Sequence, residues 1–171
     1  MPGPSERQPA APDHTIGVTV SQVPVERTLA LRQAVLRPDQ SLDDMALPGD
    51  DDPATAAFAA IDVGGEVQSV ARVALEAPPF SSQDLAPTGT PAWRLRSMAT
   101  RPEVRGQGIG TAVLQACIDH VSRGGGGLLW CNARVPAVGL YRRAGFTTHG
   151  EEWVDPVIGP HVVMWRLVDP A

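Results

Sequence analysis

The chain contains no lysine; all 14 of its basic residues are arginine. That excludes a P-loop, which grips phosphate with a Lys followed by Ser or Thr. It also points to an arginine-favouring, GC-rich genome more readily than to 14 separate demands for guanidinium chemistry. The two cysteines, Cys117 and Cys131, are too few for a disulfide framework, and no Cys/His spacing suggests zinc; no metal is expected. No apolar run approaches the roughly 20 residues that span a bilayer. Met1 to Asp13 lacks a basic segment followed by an apolar one, so a cytoplasmic protein without membrane contact is expected. The net charge of −5 argues against a general nucleic-acid binder.

What is present is enough for a core. The 171 residues are 43% apolar and 19% charged, which suits one domain. Residues 1–13, rich in Pro and polar side chains, read as a disordered tail, and residues 14–171 as a single domain. Charge is unevenly spread. Residues 1–90 hold 13 acids and 5 arginines, whereas residues 91–171 hold 6 acids and 9 arginines. A phosphate-bearing ligand is therefore better accommodated by the second half.

Hydrophobic spacing gives the element order. Ile16, Val18 and Val20 alternate as a first strand. Val25, Leu29, Leu31, Val35 and Leu36 fit a helix ending before Pro38, and a short helix is expected around Leu42 to Leu47. Two strands flank Gly64-Gly65, and a third runs from Trp93 to Thr100. Ile109, Val113, Cys117 and Val121 recur every four residues as one helix face. Leu128 to Ala133 reads as a buried strand, Pro136 opens a helix that Gly145 closes, and Phe146–Val154 and Val162–Val168 are the last strands. The order β-α-(α)-β-β-β-α-β-α-β-β is that of a mixed α/β layered domain.

The most informative segment is Trp93 to Val113, where a strand meets a helix through Gly106, Gly108 and Gly110. Glycine lets backbone approach a ligand closely, and a helix start offers free N–H groups with partial positive charge. Arg105 adds a cation, and together these form a phosphate cradle. The glycine spacing does not fit the dinucleotide fingerprint in either register. A flexible turn is the plain alternative, and the quadruplet Gly124 to Gly127, without a cation, reads as a helix stop.

Arg105-Gly106-Gln107-Gly108-Ile109-Gly110 resembles the Arg/Gln-x-x-Gly-x-Gly/Ala signature of the GNAT superfamily of N-acetyltransferases. Downstream, Ala137, Tyr141 and Gly145-Phe146 resemble that family's later helix and turn. The resemblance covers about Trp93 to Val168. It implies a largely antiparallel sheet of about 6–7 strands flanked by about 4 helices, and direct transfer of acetyl from acetyl-CoA to an amine. By the same resemblance, Met98, Ala99 and Thr100 pair with the pantetheine arm between splayed strands, and Arg105, Gly106, Gln107, Gly108, Ile109, Gly110 and Thr111 hold the pyrophosphate. Arg134 stands where many members carry Asn, which leaves Asn132, two residues earlier, to bond the pantetheine or to a structural partner.

Tyr141, the one tyrosine, aligns with the family's thiolate-protonating residue; from position alone it reads as a core tyrosine. No base is assigned on strands four and five, where Arg94 and Arg96 stand. Glu151, Glu152, Asp155 and His161 are candidates, Glu152 and His161 foremost, although His161 also reads as structural. Cys117 and Cys131 read as buried thiols, and Trp93, Trp130, Trp153 and Trp165 mostly as core. Arg142 and Arg143 stay open between a solvated helix face and a contact to the CoA 3′-phosphate. Asp50 to Asp52 read as a solvated loop, or as a lure for a cationic acceptor. The acceptor is expected to be a small-molecule or peptide amine, and a homodimer is plausible through exposed sheet edges. A non-catalytic acyl-CoA sensor of the same fold and a plain nucleotide-binding module are the rival readings.

Overall fold

The computed structural model describes residues 17–171; the expected tail and Ile16 of the first expected strand lie outside them. The elements, in chain order, are β1 (Val18–Val23), α1 (Glu26–Leu36), β2 (Ala56–Asp62), β3 (Val67–Leu75), β4 (Ala92–Thr100), α2 (Ile109–Arg123), β5 (Gly127–Arg134), α3 (Val138–Arg143), β6 (Thr147–Asp155) and β7 (Gly159–Val168). The described residues hold three α-helices where about four were expected. The segment around Leu42 to Leu47 forms only a 3₁₀ turn, Asp43–Met45. Its end is fixed by chemistry: Asp44 accepts hydrogen bonds from the backbone and hydroxyl of Ser41, and Pro48 cannot donate to a continuing helix.

The seven strands form one sheet in the order β1-β2-β3-β4-β5-β7-β6. Every pairing is antiparallel except β4 with β5. The amphipathic face of α2 (Ile109, Val113, Leu114, Cys117, Ile118 and Val121) is buried against Ala56, Phe58 and Ala60 of β2, Ala71 and Val73 of β3, and Trp93 and Leu95 of β4. α1 covers the opposite face, where Leu31 packs with Ala59, Val70 and Ala99. The alanines at positions 56, 57, 59 and 60 are essentially fully buried. Small side chains on both faces of β2 let a helix close in from either side, as dense packing requires.

Two features of β4 open the middle of the sheet. First, its ladder with β5 lasts only three pairs, Ala92↔Leu128, Trp93↔Leu129 and Arg94↔Trp130. Second, its register with β3 jumps between Val70↔Ala99 and Arg72↔Arg96, so Ser97 and Met98 together oppose Ala71. Ser97 carries the bulge with φ +56°, a left-handed conformation that costs a non-glycine residue about 1–2 kcal/mol. A bulge bends its strand and shifts the alternation of its side chains. Trp93 and Leu95 therefore face α2, whereas Ala99, two positions farther along the same alternation, faces α1.

A clamp fixes where the fork begins. Arg94 lies over the Trp130 ring at 4.6 Å and bonds Glu76 Oε1 at 2.5 Å, while the Trp130 indole donates to the Glu76 carbonyl at 2.8 Å. Beyond that point the β5-facing edge of β4 is unpaired.

Leu114 is fully buried at the centre of the α2 interface, and cutting it back to alanine leaves a cavity. Leu114→Ala is expected to lower the unfolding free energy by about 3 kcal/mol, read from the midpoint of urea denaturation at unchanged slope.

Candidate functional site

The fork opens into a cavity of about 420 Å³. Leu95 and Met98, which belong to the core on the α2 side, line it together with Arg94 and Arg96, which project toward α1. The cavity therefore passes through the sheet, and chemistry mounted on either face can meet within it. Ser97 lines it too, which places the strained residue in its wall.

No residue of the glycine loop lines this cavity; the loop meets it through Gly110, which sits against the cavity-lining Met98. Gly108 is the N-cap of α2 with φ +82° and no side-chain cap, so the first-turn N–H groups are free to meet an anion. A Cβ at Gly106 or Gly108 would meet nothing within 4 Å; these glycines serve backbone conformation and leave the cradle open. Gly110 has a different reason. A Cβ there would come within 3.0 Å of Thr100 Oγ1 and 3.3 Å of Met98 Cε, so its absence lets the helix start sit against the end of β4. Arg105 is exposed and donates from Nε to the Thr100 carbonyl at 3.2 Å, while Gln107 and Thr111 are exposed. Of the three residues expected along the pantetheine, only Met98 lines the cavity; the Ala99 carbonyl accepts from Ser69 Oγ at 3.1 Å.

Tyr141 is 5% exposed, lies edge-on to Phe146 and reaches the cavity from the α2 side. Its hydroxyl lies beside the Cys131 thiol. Burial first, then the neighbouring thiols Cys131 and Cys117, push its ionisation well above the ordinary tyrosine range, so at neutral pH it is a hydrogen-bond donor. Burial raises the Cys131 thiol to about 12 and raises the Cys117 thiol further. Neither is a thiolate nucleophile at neutral pH.

On the opposite face, His161 is 4% exposed, lines the cavity and stacks on Trp153. Its Nδ1 is 2.7 Å from the Gly159 carbonyl. A carbonyl can only accept, so Nδ1 carries a proton, and in the neutral ring the lone pair lies on Nε2. Asp155 also lines the cavity. The Val157 and Ile158 amides that it accepts, in that order of effect, hold its carboxyl below the usual range. Glu151 and Glu152 are exposed and outside the cavity. Strand alternation explains this for Glu152: its neighbour Trp153 faces inward. That same position makes Trp153 39% exposed, against its expected place in the core. Asn132 lines the cavity, whereas Arg142 and Arg143 are exposed on α3 and lie outside it.

Sequence reasoning passed over the arginines. Arg32, Arg37, Arg94, Arg96 and Arg134 all line the cavity. The signal was there in part: Arg94 and Arg96 alternate with Trp93 and Leu95 on a central strand, which demands a polar crevice on one face. Arg32 on α1 carried no such signal, because its partner lies 18 residues away. Asp50 is no free lure for a cationic acceptor. It is ion-paired with both buried Arg32 and buried Arg72, and its Oδ2 accepts from the Leu47 amide at 2.8 Å.

Comparison with known proteins agrees with this fold and gives its family. The model of the acetyltransferase (GNAT) family matches residues 26–146. An uncharacterized N-acetyltransferase of Bacillus subtilis (strain 168), YitI, is 30% identical over 150 residues, spanning 87% of this chain and 95% of the relative. The solved structure of a histone acetyltransferase HPA2 and related acetyltransferase from Corynebacterium glutamicum matches with a TM-score of 0.66 at 21% identity, over 91% of this chain and 98% of that one. A phosphinothricin acetyltransferase from Sinorhizobium meliloti, solved in complex with acetyl-CoA, matches with a TM-score of 0.66 at 18% identity, over 90% of each chain.

Two expectations follow from the buried groups. Asp50→Ala leaves two buried guanidinium groups without their shared carboxylate, and should cost about 3 kcal/mol of unfolding free energy by chemical denaturation. Because the chain has a single tyrosine, tyrosinate absorbance reports Tyr141 alone. It should stay absent in the folded protein well past pH 10. A folded-state value raised above the unfolded one stabilises fully below about pH 10. That contribution declines as pH rises toward the folded value, so alkaline unfolding and tyrosinate appearance should coincide.

Proposed function

The chain belongs to the GNAT acetyltransferase family and is an N-acetyltransferase, and from that premise we propose how its own residues divide the work. The observation that carries the reading is the passage through the sheet. An uncapped helix start with a glycine loop lies on one face, His161 lies on the other, and both His161 and Tyr141 line the cavity. The reading takes residues 14–171 as one catalytic domain.

Bound acetyl-CoA would supply a thioester as the activated acyl donor. The free amides of residues 108–111 and Arg105 would hold its pyrophosphate, as the open space over Gly106 and Gly108 permits. The unpaired edge of β4 beyond Arg94 offers backbone hydrogen bonds to an extended arm laid into the fork, in the manner of an added strand. Met98 and Asn132 would flank that arm.

In the transfer, a bond forms between the acceptor nitrogen and the acetyl carbon as the carbon–sulfur bond breaks. One proton leaves nitrogen and one reaches sulfur. The His161 Nε2 lone pair would take the first, directly or through water. The Tyr141 hydroxyl, which lines the cavity, would turn to the departing sulfur as its hydrogen-bond or proton donor. Burial disfavours the phenolate, but it disfavours a nearby thiolate in the same way, so the transfer depends on the difference between them.

Titration calorimetry with acetyl-CoA and CoA tests the cradle. Gly108→Trp should abolish micromolar binding; because Gly108 is left-handed, the substitution also strains the loop by about 1–2 kcal/mol, so the variant's unfolding midpoint is measured alongside to show that it remains folded. Tyr141→Phe should keep the acetyl-CoA Kd within about twofold and lower kcat by about 10²-fold. Unchanged turnover in Tyr141→Phe, or no binding by the wild type, would sink these assignments; binding without turnover on any amine would favour a sensor.

A further inference from the structure

We infer that the acceptor is a small amine carrying an oxyanion, an amino acid being the simplest, whose anionic group is held by arginines on the α1 side of the cavity. The inference rests on the transferase reading above and names the substrate class of that site.

The charge of the cavity wall is lopsided. Five guanidinium groups line it against two carboxylates, Asp44 and Asp155, and both carboxylates are occupied by donors of their own loops. Arg94 has Glu76, and Arg32 shares Asp50 with Arg72. Among the described residues, Arg37, Arg96 and Arg134 have no carboxylate within 4.0 Å. Arg32 is 2% exposed, and its Nε and Nη2 have no hydrogen-bond partner among the described residues, although a buried guanidinium normally satisfies its donors.

These cations are also pressed together. Arg37 and Arg134 both donate to the Leu36 carbonyl, at 3.1 and 3.3 Å. Arg96 is destabilised as a cation by burial first and then by Arg94. Like charges converging in a half-buried crevice repel one another, and an anion between them relieves several interactions at once.

The anion belongs to the acceptor on positional grounds. Arg94, Arg96 and Arg134 project from the sheet face that carries α1, as does His161. The glycine loop that suits a pyrophosphate starts α2, on the other face. A carboxylate, phosphonate or sulfonate bonded here would place an amine a few bonds away near His161. A polycation would meet unrelieved repulsion.

Thiol release from acetyl-CoA, measured over an acceptor panel, provides the test. The panel sets the L-amino acids, taurine and 2-aminoethylphosphonate against L-methioninamide, cadaverine and spermidine. At least one oxyanion-bearing amine should exceed every neutral or cationic one tenfold in kcat/KM. Arg96→Gln, whose lost guanidinium makes no hydrogen bond among the described residues, should raise KM for that acceptor about tenfold, with kcat and the acetyl-CoA Kd nearly unchanged. Arg96→Lys should recover part of the loss. Equal or better turnover of L-methioninamide or spermidine overturns the inference, as does no turnover of any oxyanion amine by a protein that binds acetyl-CoA. Failure of the wild type to bind acetyl-CoA removes the transferase reading and this inference with it.

Discussion

The site depends on a ladder that stops early. Two parallel strands side by side would ordinarily pair along their common length, and β4 and β5 pair over three residues. The clamp of Arg94, Trp130 and Glu76 holds them together at one end, and the Ser97 bulge turns β4 aside at the other. Full pairing would bury the edges of both strands against each other and close the cavity. The left-handed Ser97 is a local cost of keeping the sheet open, and the packing of α1 and α2 on opposite faces over-determines it.

The two faces of the fork carry different chemistry because they carry different helices. α2 begins at the fork with bare amides, whereas α1 ends there with its last carbonyl bonded by two arginines. A helix start attracts anions and a helix end attracts cations, so the polarity of the two helices already separates a side of free amides from a guanidinium-rich one. Tyr141 and His161 then line one cavity from opposite faces of the sheet rather than side by side on one loop.

Much of this was legible in the sequence. The order of strands and helices followed from apolar spacing, and the glycine loop followed from Gly106, Gly108 and Gly110 at the start of an apolar helical face. Tyr141 was singled out by resemblance, and spacing alone would not have set it apart, because its burial against Phe146 looks like that of any core tyrosine. The bulge was hidden, since Ser97 resembles any polar strand residue and its backbone conformation is set by β3 and the helices. The arginine cluster was hidden for a related reason. Arg32, Arg96 and Arg134 come from three elements far apart in the chain, and only the fold brings them together. The helix expected around Leu42 failed locally, where Pro48 and the Ser41–Asp44 bonds leave room for a single turn.

An enzyme that acylates amines must keep its own amines out of the reaction. A lysine in the wall of such a cavity readily loses its proton when buried, and would then compete with the acceptor as a nucleophile. Guanidinium stays charged and lacks the free lone pair that attack requires. Because its cavity draws every cation from arginine and the chain holds no lysine anywhere, this protein offers acetyl-CoA no side-chain amine of its own, and its strong positive field carries no risk of self-inactivation by acylated lysine.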